Sequence, residues 1–203
     1  MRILTWNIQN SGTVNFNQPQ RENIKSILCE IEKLQADIVV LQEFQFEYYS
    51  EIVEKGLNQF GYVCTVCNDN TDRTLRNRVL IAVKSKYSFS DCEYPKDIRK
   101  YSRRNWREII IQNSNIAVFG VDVPIAQTTD MYGRKKDNRA EKKQFLEALK
   151  SKFTEYANYD YPAIILGDFN LHENAVFKEY LPLFNDILFE VTAKEPTWEN
   201  YKI

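Results

Sequence analysis

Apolar positions recur along the chain in two rhythms. Ile24, Ile27, Leu28, Ile31 and Leu34 are spaced as one face of a helix over Arg21 to Leu34. Asp37 then opens Ile38-Val39-Val40-Leu41, a continuous apolar run of strand length that suits a strand buried on both faces. A short strand over Arg2 to Trp6 precedes the helix. A second helix is expected over Glu47 to Phe60, with Ile52, Val53, Leu57 and Phe60 on one side and Gly61 as its stop. Strands follow at Tyr62 to Val66 and Val79 to Val83, separated by the loop-like Asn68 to Asp72.

Ser88 to Arg104 is polar, charged and broken by Pro95, which predicts no regular element. Two β-rich runs come next, Glu108 to Ile111 and Ile116 to Val123, with Gln112 to Asn115 as a hairpin turn. Asn138 to Phe153 reads as a helix carried by Phe145, Leu146, Leu149 and Phe153, and Ala163 to Leu166 as a buried strand ending at Gly167. A helix near Asn174 to Phe184 and a strand over Ile187 to Val191 complete the order. Strands alternate with helices and no repeat interrupts them, so one α/β domain over 1–203 is expected, with a mixed sheet or a pair of sheets.

Composition narrows the class without selecting a function. The 203 residues are 43% hydrophobic and 27% charged, which suits a globular chain and excludes disorder, collagen and repeat arrays. No window approaches the run of about 18 apolar residues that a membrane helix needs, and the N-terminus carries no signal-peptide core. A cytoplasmic monomer without membrane contact is the expectation. Lys and Arg number 27 against 28 Asp and Glu, so any polyanion must be met by a local patch and not by the field of the whole molecule. Cys64 and Cys67 form a C-x-x-C, but no second pair follows and the single histidine, His172, is remote, so Cys64 is read as strand filler and Cys29 as part of a helix.

Open α/β folds place ligands beyond the C-terminal ends of strands. Three such ends are polar: Trp6-Asn7-Ile8-Gln9, Gln42-Glu43 and Gly167-Asp168-Phe169-Asn170. Each has a bland alternative, Asn7 as a turn cap, Glu43 as a solvated loop acid, Asp168 with Asn170 as an Asx turn. Together, in this order, Leu4-Thr5-Trp6-Asn7-Ile8-Gln9, Asp37 to Glu43 and Ile165 to Asn170 resemble the endonuclease/exonuclease/phosphatase superfamily. The pattern runs from Met1 to about Trp198, with Asn77 to Ala82 and Glu195-Pro196-Thr197-Trp198 as weaker landmarks.

The resemblance implies an α/β (α+β) fold, a four-layer sandwich in which two mixed β-sheets face each other, and hydrolysis of a phosphoester with Mg²⁺ or Mn²⁺; a phosphodiester is the first expectation. It makes Glu43 the main metal carboxylate with Asn7 beside the ion. Asp168 would orient or deprotonate the attacking water, and Asn170 would hydrogen-bond a phosphate oxygen. Gln9 stands where several members carry an acid. A histidine or tyrosine is expected at the end of the strand through Phe119 to Val123, and Asp122 occupies that place. An ionised carboxylate about 4 Å from a phosphate oxygen would be repelled by roughly 4 kcal/mol at an effective dielectric near 20, so Asp122 must be protonated, paired or metal-bound. The family's late Asp-His pair and final strand are expected where the chain stops, at Tyr201-Lys202-Ile203, which reads as truncation.

Arg99, Lys100, Arg103, Arg104 and Arg107, interleaved with Tyr101 and Trp106, are the cluster suited to phosphates and stacked bases, with a solvated loop as the alternative. His172 is a further candidate phosphate contact. Arg134 to Lys136 read as surface, and Lys142-Lys143 as the polar face of a helix. Nucleic acid is the expected substrate. An inactive member acting as a binding module, or a phosphatase on small phosphoesters, are the alternatives.

Overall fold

The computed structural model describes residues 1–8, 21–45, 50–66, 77–93, 104–112, 114–129, 133–158 and 162–170. One sheet contains β1 (Ile3–Asn7), β2 (Ile38–Gln45), β3 (Tyr62–Val66) and β4 (Asn77–Lys84) in the order β1-β2-β4-β3. The other contains β5 (Phe89–Asp91), β6 (Trp106–Ile111), β7 (Ile116–Asp122) and β10 (Ala163–Asp168) in the order β10-β7-β6-β5. A separate hairpin of β8 (Gln127–Thr129) and β9 (Lys135–Asp137) interrupts the path from β7 to the next helix. Both sheets are mixed: β1 runs parallel to β2 and β10 parallel to β7, while the remaining pairs are antiparallel.

Alternation along the strands sorts the apolar residues into three layers. Val39, Leu41, Leu80 and Ala82 face α1 (Arg21–Leu34) and α2 (Ser50–Gln59), meeting Ile24, Ile31, Val53 and Leu57. Ile38, Val40, Val79, Ile81 and Val83 face the other way and pack between the sheets on Ile109, Ile111 and Val118. Ala117, Phe119 and Val121 lie against Phe145, Leu149 and Phe153 of α3 (Arg139–Asn158). The result is the expected four-layer α/β sandwich. Gly120 sets how close the sheets come, because a Cβ there would lie 2.8 Å from methyl carbons of both Val40 and Val79.

Several boundaries match the pattern residue for residue, among them Arg21–Leu34 and Tyr62–Val66. Strand β5 lies inside the segment from Ser88 predicted to be irregular, and it forms because its backbone pairs with β6 at the sheet edge. Strand β2 runs four residues past Leu41, through a register shift between Leu41 and Phe44. The expected helix near Asn174, the strand at Ile187 and the end of the chain lie outside the described residues.

Candidate active site

The interior-facing rows of three strands end in polar residues. Ile3 and Thr5 lead to Asn7 on β1, Val118 and Gly120 to Asp122 on β7, and Leu166 to Asp168 on β10, each keeping the parity that faces the opposite sheet. Because β1 and β10 lie at the same edge and both run parallel to their neighbours, these termini meet at one end of the sandwich. Strand β2 would break the arrangement, since simple alternation places Glu43 on the helix side. The irregularity at Gln42-Glu43 prevents this: Leu41 pairs with Leu80, but Phe44 pairs with Arg78, so β2 holds one extra residue. Glu43 absorbs it in the left-handed region at φ 54°, and Phe44 returns to the helix-facing core.

The bulge is fixed from both sides. Gln42 is buried, its Nε2 donates to Thr5 Oγ1 at 3.1 Å, and its carbonyl accepts Ile8 N–H at 3.1 Å. Gly167 fixes the other wall. It pairs with Val121 at φ 148°, and a Cβ there would overlap the Val121 carbonyl, so only glycine lets β10 bring Asp168 beside Asp122.

Asn7 links the two halves of the chain. Its Nδ2 donates to Glu43 Oε1 at 3.1 Å and to Asp168 Oδ2 at 2.9 Å. The second oxygen of Asp168, Oδ1, accepts the backbone N–H of Asn170 at 2.8 Å, an Asx turn closed by Asn170 at φ 49°. Asn170 Nδ2 donates to the Val123 carbonyl at 2.8 Å and to Asp122 Oδ1 at 3.2 Å. Asn7, Glu43, Asp122, Asp168 and Asn170 therefore form one hydrogen-bonded group.

Burial, followed by the charges of Asp168 and Glu43, pushes the Asp122 carboxyl up to about 7, and these outweigh the opposing pull of Arg104 and the Asn170 hydrogen bond. Asp122 thus belongs to the same hydrogen-bonded group and carries a proton far more readily than an ordinary aspartate. Arg104 reaches the same end of the molecule: its Nη1 donates to the carbonyl of Asn77, and Asn77 pairs with Gln45 at the end of β2.

Arg107 corrects the expectation from its sequence neighbourhood. It shares the interior face of β6 with Ile109 and Ile111, and its guanidinium is committed to Thr65 Oγ1 (from Nε, 2.8 Å) and Asp91 Oδ2 (from Nη2, 2.5 Å) at the β3/β5 edge. That is the edge opposite the carboxylates, so Arg107 joins the sheets and does not line the cleft. Lys142 corrects a second expectation, since it is buried while Lys143 is exposed. Its Nζ donates to the Asn170 carbonyl at 2.6 Å. The sequence carries no signal of this burial, because lysines on a helix are normally solvated. Gln9, Arg99, Lys100, Arg103 and His172 lie outside the described residues, as does Cys67. Cys64 faces the helices as filler, its thiol pushed up to about 12 by burial.

The donor set is one of hard oxygens. Among the described residues no three His, Cys, Asp or Glu side chains converge as a cage. One carboxylate with an amide suits Mg²⁺ or Mn²⁺, which keep several waters and take further oxygens from a phosphate. Carboxylates and amides at the C-terminal ends of strands in an αββα sandwich define a class of hydrolytic proteins. The chain belongs to the Endonuclease/Exonuclease/phosphatase family, matched over residues 4–188.

Solved structures similar to it include ANGEL2, a 2′,3′-cyclic phosphatase, with 18% identity, 87% of this chain and 56% of that one covered, and a TM-score of 0.57. The human Nocturnin catalytic domain with bound sulfate shows 18% identity over 93% of this chain and 69% of that one, with a TM-score of 0.56. The 3′ phosphatase NExo from Neisseria, bound to a product DNA hairpin, shows 19% identity over 84% and 58%, with a TM-score of 0.53. Likeness at this identity is one of fold, and the chain spans little more than half the length of ANGEL2. No curated protein sequence matches it.

Proposed function

We propose that the chain is a divalent-metal-dependent phosphoesterase that cleaves phosphodiesters, with nucleic acid as its substrate. The observation that carries this reading is the single amide, Asn7 Nδ2, joining Glu43 to Asp168 across the cleft. Family membership supports phosphoester hydrolysis, and the descriptions of NExo as a 3′ phosphatase bound to DNA and of ANGEL2 as a cyclic phosphatase support a nucleic-acid phosphate.

Glu43 and Asn7 would hold Mg²⁺ or Mn²⁺. When bound, the ion would supply a Lewis acid that neutralises charge on the phosphoryl oxygens. Asp168 has each oxygen already fixed by one donor, Asn7 on Oδ2 and Asn170 N–H on Oδ1, and each oxygen keeps a lone pair for a water proton. It is therefore oriented before substrate arrives, as a base or water-positioning group must be. Both Asn170 amide hydrogens are engaged. The longer bond, to Asp122, is the one that yields when a phosphate oxygen is offered. Asp122 in its protonated form donates to phosphate where its ionised form repels it, which lets an aspartate serve in the place of a histidine or tyrosine.

Hydrolysis of plasmid DNA, single-stranded RNA and a chromogenic phosphodiester in Mg²⁺ and Mn²⁺ tests the reading, with chelator, Glu43→Ala and Asp168→Ala as controls. Turnover lost in all three controls supports it. No turnover from a cooperatively unfolding wild-type protein overturns it in favour of a binding module. Hydrolysis of phosphomonoesters alone would make the protein a small-ester phosphatase.

A further inference from the structure

Lys142 stands in the opening turn of α3, where the aligned backbone N–H groups favour acids over cations. It is nonetheless 2% exposed, and an ammonium leaves water only where charge and hydrogen bonds compensate. Its neighbour Lys143 follows the ordinary rule and lies on the surface. A residue that breaks both rules and touches the Asn170 turn is a functional candidate.

The contact it makes is specific. Lys142 Nζ donates to the carbonyl of Asn170 at 2.6 Å. That residue is held in the left-handed region, with its N–H on Asp168 and its side-chain amide on Val123 and Asp122. The held carbonyl and the N–H flank the same Cα, so a change of the Asn170 backbone torsions that followed loss of the Lys142 bond would disturb the N–H on Asp168 and redirect the side-chain amide. The Asn170 carbonyl gives the buried ammonium a hydrogen-bond acceptor at 2.6 Å.

We propose that Lys142 is a positioning residue: by holding the Asn170 carbonyl it fixes the orientation of both the Asp168 carboxylate and the Asn170 amide. Its kinetic consequence rests on the phosphoesterase reading, but its structural consequence does not. The test compares wild type with Lys142→Met, Lys142→Gln and Lys142→Arg. In metal-free protein, hydrogen exchange at the Asn170 backbone amide should quicken about tenfold in Lys142→Met while the amides of Phe119 and Val121 stay unchanged. Arg should restore protection and Gln, which keeps a donor without the charge, should restore part of it, so a poorly folding Met variant does not end the test. On the chromogenic diester, kcat should fall about tenfold or more in the Met variant with KM within about twofold, and recover in Arg. Unchanged exchange at Asn170, or equal quickening at Phe119 and Val121, would overturn the proposal. A wild-type protein without turnover whose Asn170 exchange still responds would overturn the phosphoesterase reading and leave the positioning role standing.

Discussion

The two edges of the sandwich handle charge in opposite ways. At the β3/β5 edge, Arg107 on one sheet meets Thr65 on the other and closes on Asp91, so a cation and an anion cancel. At the β1/β10 edge, Glu43, Asp122 and Asp168 are linked through neutral amides, those of Asn7 and Asn170. An amide can hold carboxylates in place but cannot discharge them, and the raised Asp122 carboxyl records its burial first and then the repulsion from Asp168 and Glu43. One edge is a clamp, and the other keeps acidic groups together without an ion pair among them.

The strongest way to break this contrast is to remove a carboxylate from the open edge. Glu43→Ala or Asp168→Ala should lower hydrolysis of the chromogenic diester by about 10²- to 10⁴-fold without loss of the cooperative unfolding transition. A tenfold loss or less in either would place the chemistry elsewhere.

Asp122 gives the next largest effect, in stability measured under chelator. Its carboxyl rises from the ordinary 3.8 to about 7 on folding, so between these pH values the folded state holds a proton that the unfolded state has released. Stability therefore falls as pH rises from 4 to 7, by up to about 4 kcal/mol from this group. Below that window the group contributes nothing, and above it the full penalty applies. Urea unfolding should show Asp122→Asn gaining on wild type from pH 5 to pH 8. A constant difference between the two would sink the assignment.

Smaller effects belong to the clamp. Arg107→Met should cost about 2 kcal/mol, less than a fully buried pair because the Asp91 side chain is 47% exposed, and should leave kcat unchanged. Thr65→Val, which removes one acceptor and leaves the ion pair, should cost about 1 kcal/mol. If either lowered turnover more than stability, the two edges would not be independent.

Most elements were legible from apolar spacing, and so were the strand ends that carry Asn7, Asp122 and Asp168, because a polar residue closing a buried strand is visible as a change of composition. What escaped was geometry that residue type does not encode. Nothing in Leu41-Gln42-Glu43-Phe44 announces an inserted residue, yet without it Glu43 faces the helices. Adjacency in sequence groups Arg107 with Arg103 and Arg104. In a strand whose flanking residues Ile109 to Ile111 are all apolar, alternation gives no sign of which face is which, and the partners of Arg107 come from β3 and β5. Lys142 was hidden for a related reason: α3 carries charged residues on most sides, and only the tertiary position of the Asn170 turn selects one of them for burial. Strands β8 and β9 are three residues each and form by pairing with one another, below the length at which alternation can be read.

The hydrogen bond from Asn7 to Asp168 spans 161 positions of the chain. A ribosome releases Asn7 and Glu43 long before Asp168 exists, and the first sheet can be complete while the cleft has only one wall. Under the proposed function, a partly synthesised chain would carry its metal-binding half without the group that aims the water. Closure of that one contact would separate an inert nascent polypeptide from a hydrolase, so turnover would report completed folding more stringently than helix content or compactness could.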